Sequence, residues 1–327
     1  MKIRFLLSAF VLGALLVAVP VRAQQAPADA YPNRSIRLIV PSGPGSATDI
    51  AARIFAEEAS RRLGRPVVAD NRTGAGGRIG PETAARAPAD GYTLIWANSV
   101  GFGVLSTTGT NLPYDPVRDF DPIAPLAWFQ IALVCNPRLV PAQNLQELIA
   151  YLKARPGQVR ISSAGIGSGN HFALELFNWK AGVETVHVPY RNPIQGIQDV
   201  VAGNLECTMD SQVVGQIEAG QLRAYAVTGS QRDPRLPQVP TMAEAGLQGY
   251  DLTWFQAIAA PAGTPRAVIV RLEALAQEIA ADPGFRTRMA AAGLTVMPGT
   301  SEELARMIRF EIERYRSIAA QANLRFE

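Results

Sequence analysis

Short β-rich runs alternate with helical patterns along most of this 327-residue chain, and no other feature narrows its fold as much. IRLIV at 36–40 is a continuous apolar strand. Residues 50–63 follow with Ile50, Ile54, Phe55, Ala59 and Leu63 at helical spacing, and Gly64 stops them. PVVA at 66–69 gives a second strand, 82–87 a short helix and YTLIWA at 92–97 a third strand. Strand, helix, strand at this spacing builds parallel βαβ units. A second block repeats the pattern, with strands at 159–163, 185–190, 205–210 and 222–228 and helices at 170–181, 193–202 and 212–219. Turns follow at Pro234, Pro237 and Pro240. The tail is helical: Val268, Leu272, Leu275 and Ile279 share one face, and Thr300 with Glu303 makes a capping-box pair ahead of Leu304, Ile308, Ile312 and Tyr315. These apolar stripes read as core packing.

Between the blocks lie two segments of similar character, 122–134 and 252–261. Each holds a Trp-Phe-Gln triplet, Trp128-Phe129-Gln130 and Trp254-Phe255-Gln256. If the first block and the tail share one lobe, the chain crosses to a second lobe and back through these segments. The expected organisation is α/β, with lobe one at 31–124 plus 250–327 and lobe two at 125–249. A chain of this size can bury a core in each.

The N-terminus has the layout of a secretory signal over residues 1–23. Lys2 and Arg4 precede an apolar run at 5–19 that only Ser8 and Gly13 interrupt; Pro20 breaks it, and Val21-Arg22-Ala23 sets small residues where a signal peptidase reads. Cleavage is expected after Ala23, giving a periplasmic chain that starts at Gln24. The run is shorter than the roughly 20 apolar residues of a spanning helix. Export places Cys135 and Cys207 in an oxidising compartment. Both sit in apolar strand-like runs (ALVC and LECTM) and are expected as buried free thiols, with a disulfide as the alternative. The whole chain has 31 Lys+Arg and 28 Asp+Glu; the signal holds Lys2, Arg4, Arg22 and no acid, so the exported chain balances at 28 against 28. That balance lacks the positive footprint of a nucleic-acid binder. Any anion site must be local, built from backbone amides or a few side chains.

In an open α/β sheet, ligands bind beyond the carboxyl ends of the strands. The first strand-to-helix turn, PSGPGSATD at 41–49, has small residues that admit a ligand to the backbone and amides that open onto a helix N-terminus. It reads equally as a plain Gly/Pro turn capped by Ser46 or Thr48. SSAGIGSGNH at 162–171 holds the equivalent place in the second block. Two such loops facing each other would present two sets of amides to one solute. Enzyme motifs are wanting. TGAGGRIG at 73–80 looks like a dinucleotide loop, yet Ile79 stands where the third glycine is required. The chain has two His, His171 and His187, too few for most zinc sites, and no metal or cofactor is expected. Ser163 or Ser168 with His171 is conceivable as a nucleophile and base, although a His after a Ser-rich turn more often serves the helix start.

Seven segments together resemble the periplasmic receptors of tripartite tricarboxylate transporters, the Bug-type receptors. They are YPNRSIRLIVPSGPGSATDIAAR at 31–53, DNRTGAGGRIG at 70–80, ADGYTL at 89–94, LPYDPVRDFDPIAPLA at 112–127, SSAGIGSGNH at 162–171, HVPYR at 187–191 and VPTMAEAGLQGYDLTWFQAIAAPAGTP at 239–265. The resemblance runs in order through the exported chain. It implies a type II periplasmic-binding-protein fold, two α/β lobes joined by two crossings that close on a small carboxylate, and handover to transmembrane transporter subunits. It departs from the family at Ser42, where an aromatic residue is usual, at Gly45-Ser46, where two glycines are usual, at Ser168 for Thr, and at Asn192 for Gly. These departures bear on the ligand and not on the fold.

From the resemblance, the ligand-binding residues expected are Ser42, Gly43, Pro44, Gly45, Ser46, Ala47 and Thr48 in the first loop, with Ser163, Gly165, Gly167 and Ser168 in the second. Asn98 and Ser99 end the third strand and can line the same cleft. Asp210 ends the strand LECTMD; a carboxylate there repels an anion, so it either accepts from a ligand hydroxyl or amine or caps the following helix. Arg191 either meets a second ligand carboxylate or stays a solvated surface residue. The reading is a monomeric solute receptor. Its rivals are a ligand sensor that docks on a signalling kinase and a periplasmic Ser/His hydrolase.

Overall fold

The computed structural model describes residues 31–107 and 112–323; the expected signal at 1–23 lies outside the described residues. In chain order the elements are β1 Ile36–Val40, α1 Ala47–Leu63, β2 Val67–Asn71, α2 Ile79–Ala85, β3 Thr93–Asn98, α3 Ser99–Phe102, β4 Phe120–Phe129 and β5 Ala132–Cys135. They continue through α4 Leu145–Lys153, β6 Arg160–Ser163, α5 Gly169–Ala181, β7 Val186–Pro189, α6 Pro193–Ala202, β8 Cys207–Asp210, α7 Val214–Glu218 and β9 Arg223–Val227. The tail adds β10 Trp254–Pro261, α8 Arg266–Ala281, α9 Pro283–Ala291, β11 Thr295–Val296 and α10 Ser301–Ala322.

The strands form two sheets. One has the order β11-β4-β10-β3-β1-β2, the other β7-β6-β8-β5-β9. In each, a parallel βαβ portion (β2-β1-β3, and β7-β6-β8) is flanked by antiparallel strands. Helices cover both faces of β1, which explains why IRLIV is apolar throughout: Leu38, Ile39 and Val40 are fully buried. Helix starts follow side-chain chemistry. Ser46 caps α1 by accepting the Asp49 amide at 3.2 Å, and Ser168 caps α5 by accepting the His171 amide at 3.2 Å. Thr300 and Glu303 form the capping box of α10.

The two Trp-Phe-Gln triplets come together. Phe129 pairs with Trp254 and Trp128 with Phe255 in the antiparallel β4–β10 ladder. The chain leaves the six-stranded sheet after Phe129, joins the five-stranded sheet at Ala132, and returns between Val227 and Trp254. The two passages are hydrogen-bonded to each other: the Gly229 amide donates to Gln130 Oε1 at 2.8 Å and the Ile131 amide to Thr228 Oγ1 at 3.1 Å. Helix α10 bridges both cores. Leu304 and Ile308 pack with β3 and β10, whereas Tyr315 and Ala319 join the core of the five-stranded sheet, where Tyr315 meets Phe172 edge-on.

The cysteines correct an expectation. Cys135 and Cys207 are not free thiols; they form a disulfide. They lie directly opposite each other on β5 and β8, which run antiparallel as neighbours, so burial and pairing coexist. A strand-like apolar context shows that each cysteine is buried but not which strand lies beside it.

Candidate functional site

The turn after β1 is held by one buried carboxylate. Asp49 accepts the Gly45 amide at 2.9 Å, Asn71 Nδ2 at 2.7 Å and Arg53 Nε at 3.0 Å. Asn71 Nδ2 also reaches the Ser42 carbonyl at 2.9 Å. Burial alone raises the Asp49 pKa, but the hydrogen bonds from Arg53, Asn71 and Gly45 outweigh it and hold the carboxyl below its ordinary value. The anion that tempers the α1 N-terminus is thereby tied down inside the loop.

The turn after β6 is braced by histidines. Ser163 Oγ accepts the Gly165 amide at 3.1 Å and contacts His187 Nε2 at 2.5 Å. His187 stacks on His171 with centroids 3.8 Å apart, and His171 Nδ1 accepts the Gly167 amide at 3.2 Å. Burial, together with His171 alongside, pushes the His187 pKa down to about 4. His171 thus shapes the loop, Ser163 pairs with the other histidine, and the Ser168 hydroxyl caps α5. Neither Ser163 nor His171 reaches the cavity described next.

A cavity of about 930 Å³ opens between the carboxyl ends of the two sheets, within the size range of small-molecule sites. Ser42, Gly43, Pro44, Ser46, Ala47 and Thr48 line it from one side, Gly165 and Ser168 from the other. Asn98, Arg191 and Asp210 are also in its wall. Gly45, Ser99, Ser163 and Gly167 are not. The Gly45 carbonyl accepts Gln212 Nε2 at 3.1 Å, a bond that ties the first loop to a residue of the five-stranded sheet's side, and Ser99 Oγ accepts the Phe255 amide at 2.8 Å.

The wall contains residues that sequence reasoning passed over. The 73–77 loop, rejected as a dinucleotide motif, lines the cavity, with positive φ at four successive residues, Gly74, Ala75, Gly76 and Gly77. Gly76 touches the second loop so closely that a Cβ would lie 3.0 Å from the Ile166 carbonyl oxygen. Phe129, Ile131 and Trp254 give an apolar face, with Phe129 and Trp254 stacked at 6.0 Å. Asn170, Gln212 and Gln256 add polar groups. The available signals were position and recurrence: 73–77 follows β2 as 41–46 follows β1, and the Trp-Phe-Gln triplet occurs twice.

Two helix N-termini therefore meet one cavity. Ala47, Thr48, Gly169 and Asn170 all lie in its wall in the first turns of α1 and α5, and their amides make no hydrogen bond among the described residues. Arg191 is the one cationic and Asp210 the one acidic side chain among the described lining residues. Asp210 is buried, and desolvation raises its pKa against the Gln212 and Ser211 amides and Asn170, which favour the charged form. Such an arrangement is suited chemically to an anion held by backbone dipoles more than by net charge.

Known proteins share this architecture. The chain is 34% identical over 318 residues to Protein BugT of Bordetella pertussis, covering 95% of this chain and 94% of that protein. A solved R. palustris protein with adipate superposes with a TM-score of 0.85 at 31% identity, covering 90% of this chain and 99% of that one. MatC from Rhodopseudomonas palustris with bound malate gives 0.82 at 29% identity, covering 88% and 99%. The fold is that of the type II periplasmic binding proteins. Residues 51–324 match the tripartite tricarboxylate transporter family receptor, and the chain belongs to that family.

Proposed function

We propose that this chain is a periplasmic receptor that captures a small carboxylate in the cavity between its two sheets and delivers it to the membrane subunits of a tripartite tricarboxylate-type transporter. The observation that carries the reading is the convergence of unused first-turn amides from α1 and α5, at Ala47, Thr48, Gly169 and Asn170, on one cavity. Adipate and malate in related structures are the same chemical class. Arg191, at the exposed rim, meets the second carboxylate of a diacid. The two sheets act as the cores of two lobes, the passages at Gln130–Ile131 and 228–253 flex between them, and neither catalysis nor a metal is required. The chain is exported by the 1–23 signal and works as a monomer. Among the described residues no helix is long and apolar enough to cross a membrane.

A thermal-shift screen in metal-free buffer tests this. Mono- and dicarboxylates, adipate and malate included, should stabilise the protein, whereas neutral sugars and nucleobases should not. Stabilisation by sugars or bases alone overturns the reading.

A further inference from the structure

The amides of α5 invite a carboxylate, yet one side chain at the same helix start presents the opposite polarity. Asn170 is the second residue of α5 and lines the cavity. Its Nδ2 donates to the Met209 carbonyl at 2.6 Å and to Asp210 Oδ2 at 3.0 Å. Both partners are acceptors, so both amide hydrogens are committed and the side chain cannot turn over. Its Oδ1 makes no hydrogen bond among the described residues, and the side chain lines the cavity. The rest of the wall is rich in donors. Trp254 Nε1 lies buried against Gly169 with no hydrogen-bond partner among the described residues, in a residue only 3% exposed. Gln256 Oε1 takes the Trp96 indole N–H at 2.5 Å, which leaves its Nε2 for the cavity, and Asn98 Oδ1 takes the Gly101 amide at 2.9 Å, which leaves its Nδ2.

A fixed acceptor among donors is a specificity element. A plain carboxylate satisfies the first-turn amides but sets its own oxygens or methylenes against Asn170 Oδ1, whose desolvation then goes uncompensated. A ligand with an O–H or N–H donor next to its carboxylate meets both. Asp210, which accepts from the Asn170 Nδ2, lines the same cavity and adds a second acceptor there. Resting on the carboxylate reading above, we propose that Asn170 makes this receptor select carboxylates that bear a hydroxyl or ammonium donor on the adjacent carbon.

Matched ligands test it. Isothermal titration of the wild-type protein with succinate, malate and aspartate, and with phenylacetate, mandelate and phenylglycine, compares three substituents on two skeletons. In at least one skeleton the hydroxyl or amino member should bind at least tenfold more tightly than the unsubstituted acid; comparing malate with aspartate and mandelate with phenylglycine tells hydroxyl from ammonium. In Asn170→Ala the ratio should fall to within about threefold. The ratio is the readout because any general loss of fit in the variant weakens both members of a pair. If the unsubstituted acids bind as tightly as their partners in the wild type, or if Asn170→Ala keeps the wild-type ratio, the selection by Asn170 is wrong while the carboxylate reading stands. If none of the six, nor adipate, binds, both fall.

Discussion

A single methyl group at Gly169 should disable this site. Gly169 opens α5, and the Trp254 indole rests directly on it: a Cβ built there would land on Nε1, with Cδ1 and Cε2 each 2.9 Å away. Ordinary Cβ contacts begin near 3.4 Å. The indole is buried and stacked on Phe129, so it can yield only toward the cavity that it lines. Overpacking of this kind costs about 1–3 kcal/mol. The competing effect is helix propensity, which favours Ala over Gly by at most about 1 kcal/mol in a helix interior and less at its start. Sterics wins, so Gly169→Ala should lower the melting temperature by a few degrees. Carboxylate affinity should fall more than tenfold, about 1.4 kcal/mol, because the displaced indole and the shifted first-turn amides both face the ligand. Trimming the indole in Gly169→Ala/Trp254→Phe should recover stability relative to the sum of the single changes, with a coupling of about 0.5–3 kcal/mol. Calorimetric melts and titrations of the four proteins measure this. Unchanged melting and affinity within twofold in Gly169→Ala would refute the packing argument.

Further expectations follow from other groups. The Cys135–Cys207 bridge closes a loop of 72 residues, for which the chain-entropy model gives about 4 kcal/mol; the Cys135→Ala/Cys207→Ala protein should lose stability of that order in denaturant melts, and the intact protein should resist alkylation without reductant. His187 stays neutral in the folded state down to about pH 4, while the unfolded chain takes up its proton near 6.5. Stability should therefore be unaffected by this group above pH 6.5, fall as pH drops from 6.5 to 4 by on the order of 1–3 kcal/mol, and level off below. His187→Gln should flatten that portion of the pH profile; a profile identical to wild type contradicts the assignment. Closure about the two passages should shrink the radius of gyration when malate or another bound carboxylate saturates the protein, and Gln212→Ala, which loses the bond to the Gly45 carbonyl, should weaken binding; superimposable scattering curves would argue against hinge motion.

The parts of this fold that were legible in the sequence are those set by local chemistry. Ser46, one of the two hydroxyl residues read as a cap for the first turn, caps α1, Gly64 ends that helix, and Thr300 with Glu303 forms the capping box of α10. Most strand and helix positions along the chain followed from hydrophobic period. What escaped depends on neighbours far away in sequence. The disulfide needs β5 beside β8 in one register, and no local pattern specifies that pairing. The 73–77 loop was judged against a dinucleotide template and set aside, although its place after a strand of the same sheet was the more telling fact. The Trp-Phe-Gln triplets were noticed as crossings, but their role as a stacked cavity wall required the β4–β10 ladder. Asn170 reads as a helix-start residue until Met209 and Asp210, some 40 positions on, fix which way its amide faces.

The central claim is that four backbone amides receive the carboxylate. Amide-resolved NMR during titration with malate or another carboxylate that stabilises the protein addresses them individually. The N–H signals of Ala47, Thr48, Gly169 and Asn170 should shift together, downfield as hydrogen bonds form, and saturate with one dissociation constant equal to that from calorimetry. If the ligand binds while those four signals stay in place and others respond, the carboxylate is held elsewhere and the account is wrong.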